Sequence, residues 1–160
     1  MSTFTLVHVV ISLVGILAGF VVAYGMLSGK RVAGWTAVFL ASTVLTSVTG
    51  FLFPFHRFLP SHGVGIVSLV LLAVAIAALY IFHLVGGWRR AYVIAAITAL
   101  YFNVFVLIIQ LFMKVPALEL LAPKQTEPPF LATQVLCLAL FVVLGTLATK
   151  RFGAERARTA

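Results

Sequence analysis

Polar side chains that could bind a cofactor or ligand are scattered through an otherwise apolar sequence. They are four histidines and three amides within apolar runs: His8, His56, His62, His83, Asn103, Gln110 and Gln134. Imidazole binds haem iron and first-row metal ions, and amides form hydrogen bonds with ligand oxygens. The sequence contains no His-x-x-x-His or His-Glu-x-x-His motif and no paired carboxylates, so spacing alone favours none of these chemistries.

Three kinds of ligand are compatible with these residues. Haem b, the leading cofactor candidate, would use His8 and His62 as axial ligands. A divalent metal would use His8, His56 and His62, with Glu127 as a further ligand. A quinone or lipid head group would bind His8, Gln110 and Gln134. The alternative is structural: amides in membrane helices often bond only to neighbouring helices, for roughly 0.6 kcal/mol each.

Charged catalytic residues are nearly missing. The sequence has no Asp, and none of its three Glu residues lies within an apolar run. A hydrolase or a proton pump would normally need such carboxylates. Cys137 is the only cysteine, which excludes an internal disulfide and a cysteine-based metal site. We therefore expect a binding or accessory component rather than a self-sufficient enzyme, with a small membrane redox protein as the alternative.

The composition indicates a membrane protein. The chain is 63% hydrophobic and only 9% charged, whereas soluble domains carry about 25% charged residues. Its net charge of +8 does not indicate a nucleic-acid partner, because the basic residues lie at predicted helix ends and in the tail. The expected partners are the lipid bilayer and either a second copy of the chain or another membrane protein.

Five apolar segments are long enough to cross a bilayer core of ~30 Å. They cover residues 4–28, 33–54, 63–86, 89–114 and 129–149. Glycines, prolines and charged pairs separate them, and Thr126 precedes two prolines as an expected helix cap. The sequence therefore predicts an all-α fold, with residues 1–160 forming one polytopic transmembrane bundle.

The basic residues predict an orientation in the membrane. Three lie on the side of the N-terminus (Arg57, Lys114, Lys124), and eight lie on the other side (Lys30, Arg31, Arg89, Arg90, Lys150, Arg151, Arg156, Arg158). Positively charged loops stay in the cytoplasm. The N-terminus is therefore expected outside and the C-terminus in the cytoplasm.

This orientation brings most of the polar residues to one level. Those expected in the outer half of the bundle are His8, His56, His62, Gln110, Gln134 and Glu127, with Asn103 below them as a floor. His83 is expected near the cytoplasmic end of the third segment, about 30 Å from this outer group. Polar groups at membrane depth are costly when they face lipid. We expect the outer residues to turn inward and form either a hydrogen-bond network or a pocket.

Small residues predict where the helices pack. Gly15 and Gly19 are spaced four apart in the first segment, and the second segment carries serines and threonines at spacings of three and four. Such surfaces allow close approach of two helices. We expect the glycines to pack within the bundle, with self-dimerisation as the alternative.

Several stretches resemble a known group of proteins. They are residues 101–110, 114–118 and 127–130, the opening 6–10, and the connection from Thr49-Gly50 to His62-Gly63. Together they resemble a group of small, uncharacterised bacterial multi-pass inner-membrane proteins. That resemblance implies a bacterial inner-membrane location and no activity. His8 and His62 are also similar to the axial histidines of four-helix membrane cytochromes, although a second haem pair has no counterpart here.

Overall fold

The computed structural model describes residues 2–53 and 60–152, with side chains in the third helix described from His62 onward. Every regular element in these ranges is a helix, as predicted. The elements are α1 (Thr3–Leu27), α2 (Ala33–Gly50), α3 (Pro60–Ile76) continued by a π-helical turn (Ala77–Ile81), α4 (Trp88–Lys114), the short α5 (Pro116–Leu121) and α6 (Pro128–Arg151). Five of these helices are long and apolar enough to cross a membrane, which confirms the five predicted segments.

Two helices end earlier than the sequence suggested. Helix α2 ends at Gly50 rather than at residue 54, and the N–H groups of Phe51 and Leu52 bond three residues back in a tighter turn. Pro54 follows in the sequence and disfavours a helical conformation at the residue before it. The last helical turn is therefore lost.

The third helix ends at Ile81 rather than at residue 86. Its last turn widens, so that the Phe82 N–H donates to the Ala77 carbonyl and the Leu84 N–H to the Ala78 carbonyl, both at 2.9 Å. His83 and Leu84 then have positive φ values of 48° and 61°. These left-handed residues reverse the chain toward α4.

Helices α1 to α4 pack in a ring, α1 against α2, α2 against α3, α3 against α4, and α4 against α1. A Cβ atom on Gly15 would lie 3.0 Å from the Ser42 Oγ. On Gly19 it would lie 2.5 Å from the Leu100 Cδ1. The glycine pair is thus used for packing inside the bundle, as we expected, because only glycine allows this approach.

The two ends of the ring differ in packing. We call residues 15–27, 33–43, 71–81 and 88–101 the packed half, and residues 3–14, 44–53, 62–70 and 102–114 the cavity half. All buried residues of α1 lie between Gly15 and Met26, and those of α4 lie from Tyr92 to Asn103 except for Phe112. The large core cluster, with Phe39, Leu72 and Leu100 nearly inaccessible, therefore fills the packed half.

Helix α6 lies outside the ring, against α4 and α1. Phe141 contacts Tyr101 of α4 and Phe20 of α1, with ring centroids 5.6 and 6.2 Å apart. The face of α6 that points away from the ring carries exposed apolar residues, including Val135 and Leu140. A helix that is apolar on all sides, with one side unpacked, is typical of contact with lipid.

Candidate functional site

The cavity half contains an open space of about 610 Å³ between α1, α2, α3 and α4. Most of its wall surface is apolar, and ten of its lining side chains, from all four helices, are polar. The polar lining residues are Thr5, His8, Ser12, Thr46, Ser47, His62, Ser68, Asn103, Gln110 and Lys114. A concave apolar pocket with a few convergent polar groups is the usual form of a small-molecule site.

Neutral polar side chains from all four helices form the floor of the cavity. Ser12, Ser47 and Ser68 come from α1, α2 and α3, and Asn103 comes from α4. The Thr46 Oγ1, which also lines the cavity, is buried without a hydrogen-bond partner among the described residues. The Asn103 Nδ2 donates to the Thr43 Oγ1 at 3.2 Å, which leaves its carbonyl oxygen for a ligand. The floor can therefore both donate and accept hydrogen bonds.

The contacts of His8 favour one tautomer. Its Nδ1 lies 2.8 Å from the Thr49 Oγ1, and that hydroxyl lies 2.7 Å from the Leu45 carbonyl oxygen four residues earlier. A carbonyl can only accept, so both contacts are hydrogen bonds only when the single Thr49 proton is donated to Leu45 and the Thr49 oxygen accepts the Nδ1–H of His8. In neutral His8 the Nε2 is consequently an unprotonated acceptor, and no described protein group donates to it.

Aromatic rings surround the two histidines of the cavity. The His8 ring meets Phe53 edge to face, with centroids 5.0 Å apart. His62 is buried, and its ring lies 5.8 Å from that of Phe51. Because His8 comes from α1 and His62 from α3, the two imidazoles occupy different walls.

The rim of the cavity is formed near the end of α4. Gln110 is half-buried there, seven residues beyond Asn103 on the same helical face. Lys114 is exposed at the last residue of the helix. The structure thus brings four of the predicted site residues to one cavity, namely His8, His62, Asn103 and Gln110.

Gln134 lies elsewhere. It is buried between α6 and α4, where its Nε2 donates to the Phe105 carbonyl at 3.3 Å. Its Oε1 is buried without a hydrogen-bond partner among the described residues. Gln134 does not line the cavity, because α6 packs outside the ring that encloses it.

Glu127 is also separate from the cavity. It is the N-cap residue of α6, a position expected for Thr126, and its carboxylate accepts hydrogen bonds from the Lys124 and Thr126 N–H groups at 3.2 and 3.0 Å. Desolvation acts to raise the pKa of this carboxyl, but the backbone N–H groups and Lys124 outweigh it and hold the pKa below its usual value. Glu127 therefore orders the loop before α6.

The predicted metal site involves a residue that is not described. His56 lies outside the described ranges. Among residues 2–53 and 60–152, no group of three or more His, Cys, Asp or Glu side chains is close enough to hold a metal ion.

Sequence reasoning treated the hydroxyl residues of the floor as packing residues or did not consider them. Helical spacing could have placed two of them at the site. Ser12 lies four residues after His8, and Gly65 and Ser68 follow His62 at intervals of three. Residues three or four apart share one face of a helix. That periodicity, applied outward from each histidine, would have identified Ser12 and Ser68.

No protein-family model, curated protein or solved structure matches this chain. The resemblances to bacterial inner-membrane proteins and to membrane cytochromes therefore stay predictions.

Proposed function

We propose that this chain is a multi-pass protein of the bacterial cytoplasmic membrane that binds a small, mostly apolar molecule between α1 and α4. It acts as a binding or accessory component rather than as a self-sufficient enzyme. The observation that carries the proposal is the cavity of about 610 Å³, into which neutral polar groups project from four helices. Its size and apolar walls fall in the range of known ligand pockets.

The proposal includes an orientation. Eight of the eleven basic residues lie on the side of the packed half or in the tail, and three lie on the side of the cavity half. The positive-inside rule then favours an N-terminus outside and a cytoplasmic C-terminus, with the cavity in the outer leaflet. An alkaline phosphatase fusion at the C-terminus should be inactive and a β-galactosidase fusion active. The opposite pattern would reverse the orientation.

The substitution Gly50→Leu tests the cavity. A Cβ at Gly50 has its nearest neighbour, the His8 Cε1, at 3.9 Å, so the leucine side chain has room to enter the cavity. Gly34→Leu is a matched control, because Gly34 lies at the other end of α2 with no atom within 4 Å of a Cβ.

The probes for this test are decyl-hydroquinone and hemin, each added to purified protein in nanodiscs. A ligand that binds only the folded state raises the midpoint of thermal unfolding. At least one probe should raise the Tm of the wild type and of Gly34→Leu but leave that of Gly50→Leu unchanged. An equal increase in all three proteins would contradict the proposal.

Haem b is the second candidate ligand, and the hydrogen bond of His8 favours it. Histidines that bind metals usually donate their other ring N–H to a fixed acceptor, as the His8 Nδ1–H does to Thr49. The His8 Nε2 and the imidazole of His62 would then hold the iron, and the apolar walls would surround the macrocycle. Bound haem would supply one-electron chemistry.

An absorption spectrum of the protein with one equivalent of hemin tests this candidate. Ligation by two histidines predicts a Soret band that moves on reduction and is lost in His8→Leu and His62→Leu. A spectrum equal to that of free hemin would exclude haem and leave decyl-hydroquinone as the probe of the cavity.

A further inference from the structure

The cavity has little charge with which to bind a charged ligand. Lys114 at the rim is its only charged lining residue within the described part of the chain, and no carboxylate lines it. The floor is neutral, and it lies ~16 Å from Lys114 along α4. A charged head group at the floor would therefore be buried without a counter-charge, which is costly. The ligand head that fits there is uncharged.

The tautomer of His8 adds a second requirement. Because its Nδ1–H is held by Thr49, the Nε2 presents a lone pair to the cavity rather than a proton. A ligand carbonyl cannot bond to a lone pair, whereas a ligand hydroxyl can donate to it. The complementary group at the level of His8 is thus an O–H.

The distance between His8 and the floor adds a third requirement. Ser12 lies one helical turn below His8, a rise of ~6 Å. This rise is comparable to the separation of the two oxygens across a para-substituted benzene ring. An aromatic ring with oxygens at both ends can therefore reach the His8 Nε2 and the floor together, while it lies against apolar walls that include Phe102 and Leu107.

We propose that the ligand is a quinol, an uncharged para-dihydroxyaromatic head on an apolar chain. One hydroxyl donates to the His8 Nε2, and the other donates to the side-chain carbonyl of Asn103 and accepts from the floor serines. The cavity selects this reduced form over the corresponding quinone, which has no O–H to donate. This inference rests on the proposed function, because it names the ligand of the same cavity.

The test compares three probes with the same decyl chain: decyl-hydroquinone, decyl-benzoquinone and the dimethyl ether of the hydroquinone. Their Kd values are measured anaerobically on the full chain in nanodiscs by isothermal titration calorimetry. We expect the hydroquinone to bind about tenfold more tightly than either of the others, because only it satisfies the His8 acceptor. Equal or tighter binding of the benzoquinone would overturn the inference.

Variants of Thr49 test the origin of the preference. In Thr49→Val the Nδ1–H loses its acceptor, so His8 can adopt the other tautomer and donate from Nε2 to a carbonyl. The ratio of the quinone Kd to the quinol Kd should then fall from about ten toward one. Thr49→Ser keeps the hydroxyl and should keep the ratio.

Thr146→Val is the matched control for loss of a helical hydroxyl. Thr146 is exposed on α6 and donates to the Val142 carbonyl at 2.8 Å, as Thr49 donates to that of Leu45. It should keep the full preference. A preference that survives Thr49→Val would overturn the assigned role of His8.

Failure of this inference differs from failure of the proposed function. If Gly50→Leu abolishes binding of both forms while the wild type does not distinguish them, the cavity is a binding site but not a quinol site. If Gly50→Leu leaves both Kd values unchanged, the ligand binds elsewhere and both proposals fail.

Discussion

The packed half and the cavity half are built from the same four helices, yet only one of them is filled. In the packed half, small residues such as Gly19, Ala75 and Ala99 allow the helices to approach, and Phe39 and Leu100 fill the space between them. Close packing of this kind supplies the stability that lipid cannot provide.

The cavity half has serines, histidines and amides at the corresponding positions. Its helices are joined at one side by the His8–Thr49 hydrogen bond and closed below by the Asn103–Thr43 hydrogen bond. These polar groups hold the helices in place without filling the interior. On this difference rests our proposal that the packed half maintains the fold and the cavity half binds a ligand.

The largest expected effect is that of Gly19→Leu in the packed half. A Cβ there would lie 2.5 Å from the Leu100 side chain and 3.0 Å from the Phe39 ring, so a leucine must separate α1 from α2 and α4. A Cβ alone already clashes there, so a whole leucine should cost more than the about 1–3 kcal/mol that is typical of overpacking and more than the about 2–5 kcal/mol of a large-to-small change in the core. Thermal unfolding in nanodiscs should show a large fall in Tm for Gly19→Leu and a small one for Gly50→Leu. Comparable losses would remove the distinction between the halves.

A smaller effect is expected from removing side-chain volume. Leu72→Ala in the packed half leaves a cavity around a side chain that is 1% exposed, and such changes cost about 2–5 kcal/mol. Leu107→Ala enlarges a space that already exists, so its free energy of unfolding should change by less than about 1 kcal/mol. The two values are measured by reversible unfolding in mixed micelles. A larger loss for Leu107→Ala would show that the cavity half also stabilises the fold.

The smallest effect on stability is expected from His8→Leu. The substitution removes one hydrogen bond to Thr49, which is worth roughly 0.6 kcal/mol between membrane helices. Binding of decyl-hydroquinone should nevertheless weaken about tenfold, since its hydroxyl loses the acceptor. Tyr24→Leu, at an exposed position of the same helix, should change neither quantity. Unfolding of His8→Leu would instead show that His8 is structural.

Much of the fold could be predicted from the sequence, because long apolar runs and their breakers determine where membrane helices begin and end. The five helices and the internal use of Gly15 and Gly19 were predicted in this way. The early end of the third helix was not, because left-handed conformations at His83 and Leu84 have no strong sequence signal.

The site was harder to predict, because the depth of a residue in the membrane does not determine which way its side chain points from the helix. His8 and Gln134 lie at similar predicted depth, but His8 faces the ring interior and Gln134 faces α4 from outside. Helices that are apolar on every side give no amphipathic pattern from which to assign a face. Only the packing order of the helices separates the two residues.

The central claim is that the cavity half holds an uncharged ligand between α1 and α4. A crystal structure of the full chain, grown from a lipid phase with decyl-hydroquinone, tests it most directly. We predict density for the aromatic head inside the cavity, with one oxygen within hydrogen-bond distance of the His8 Nε2 and the other near Ser12 and Asn103. A cavity closed by side chains, or density only on lipid-facing surfaces, would contradict the claim.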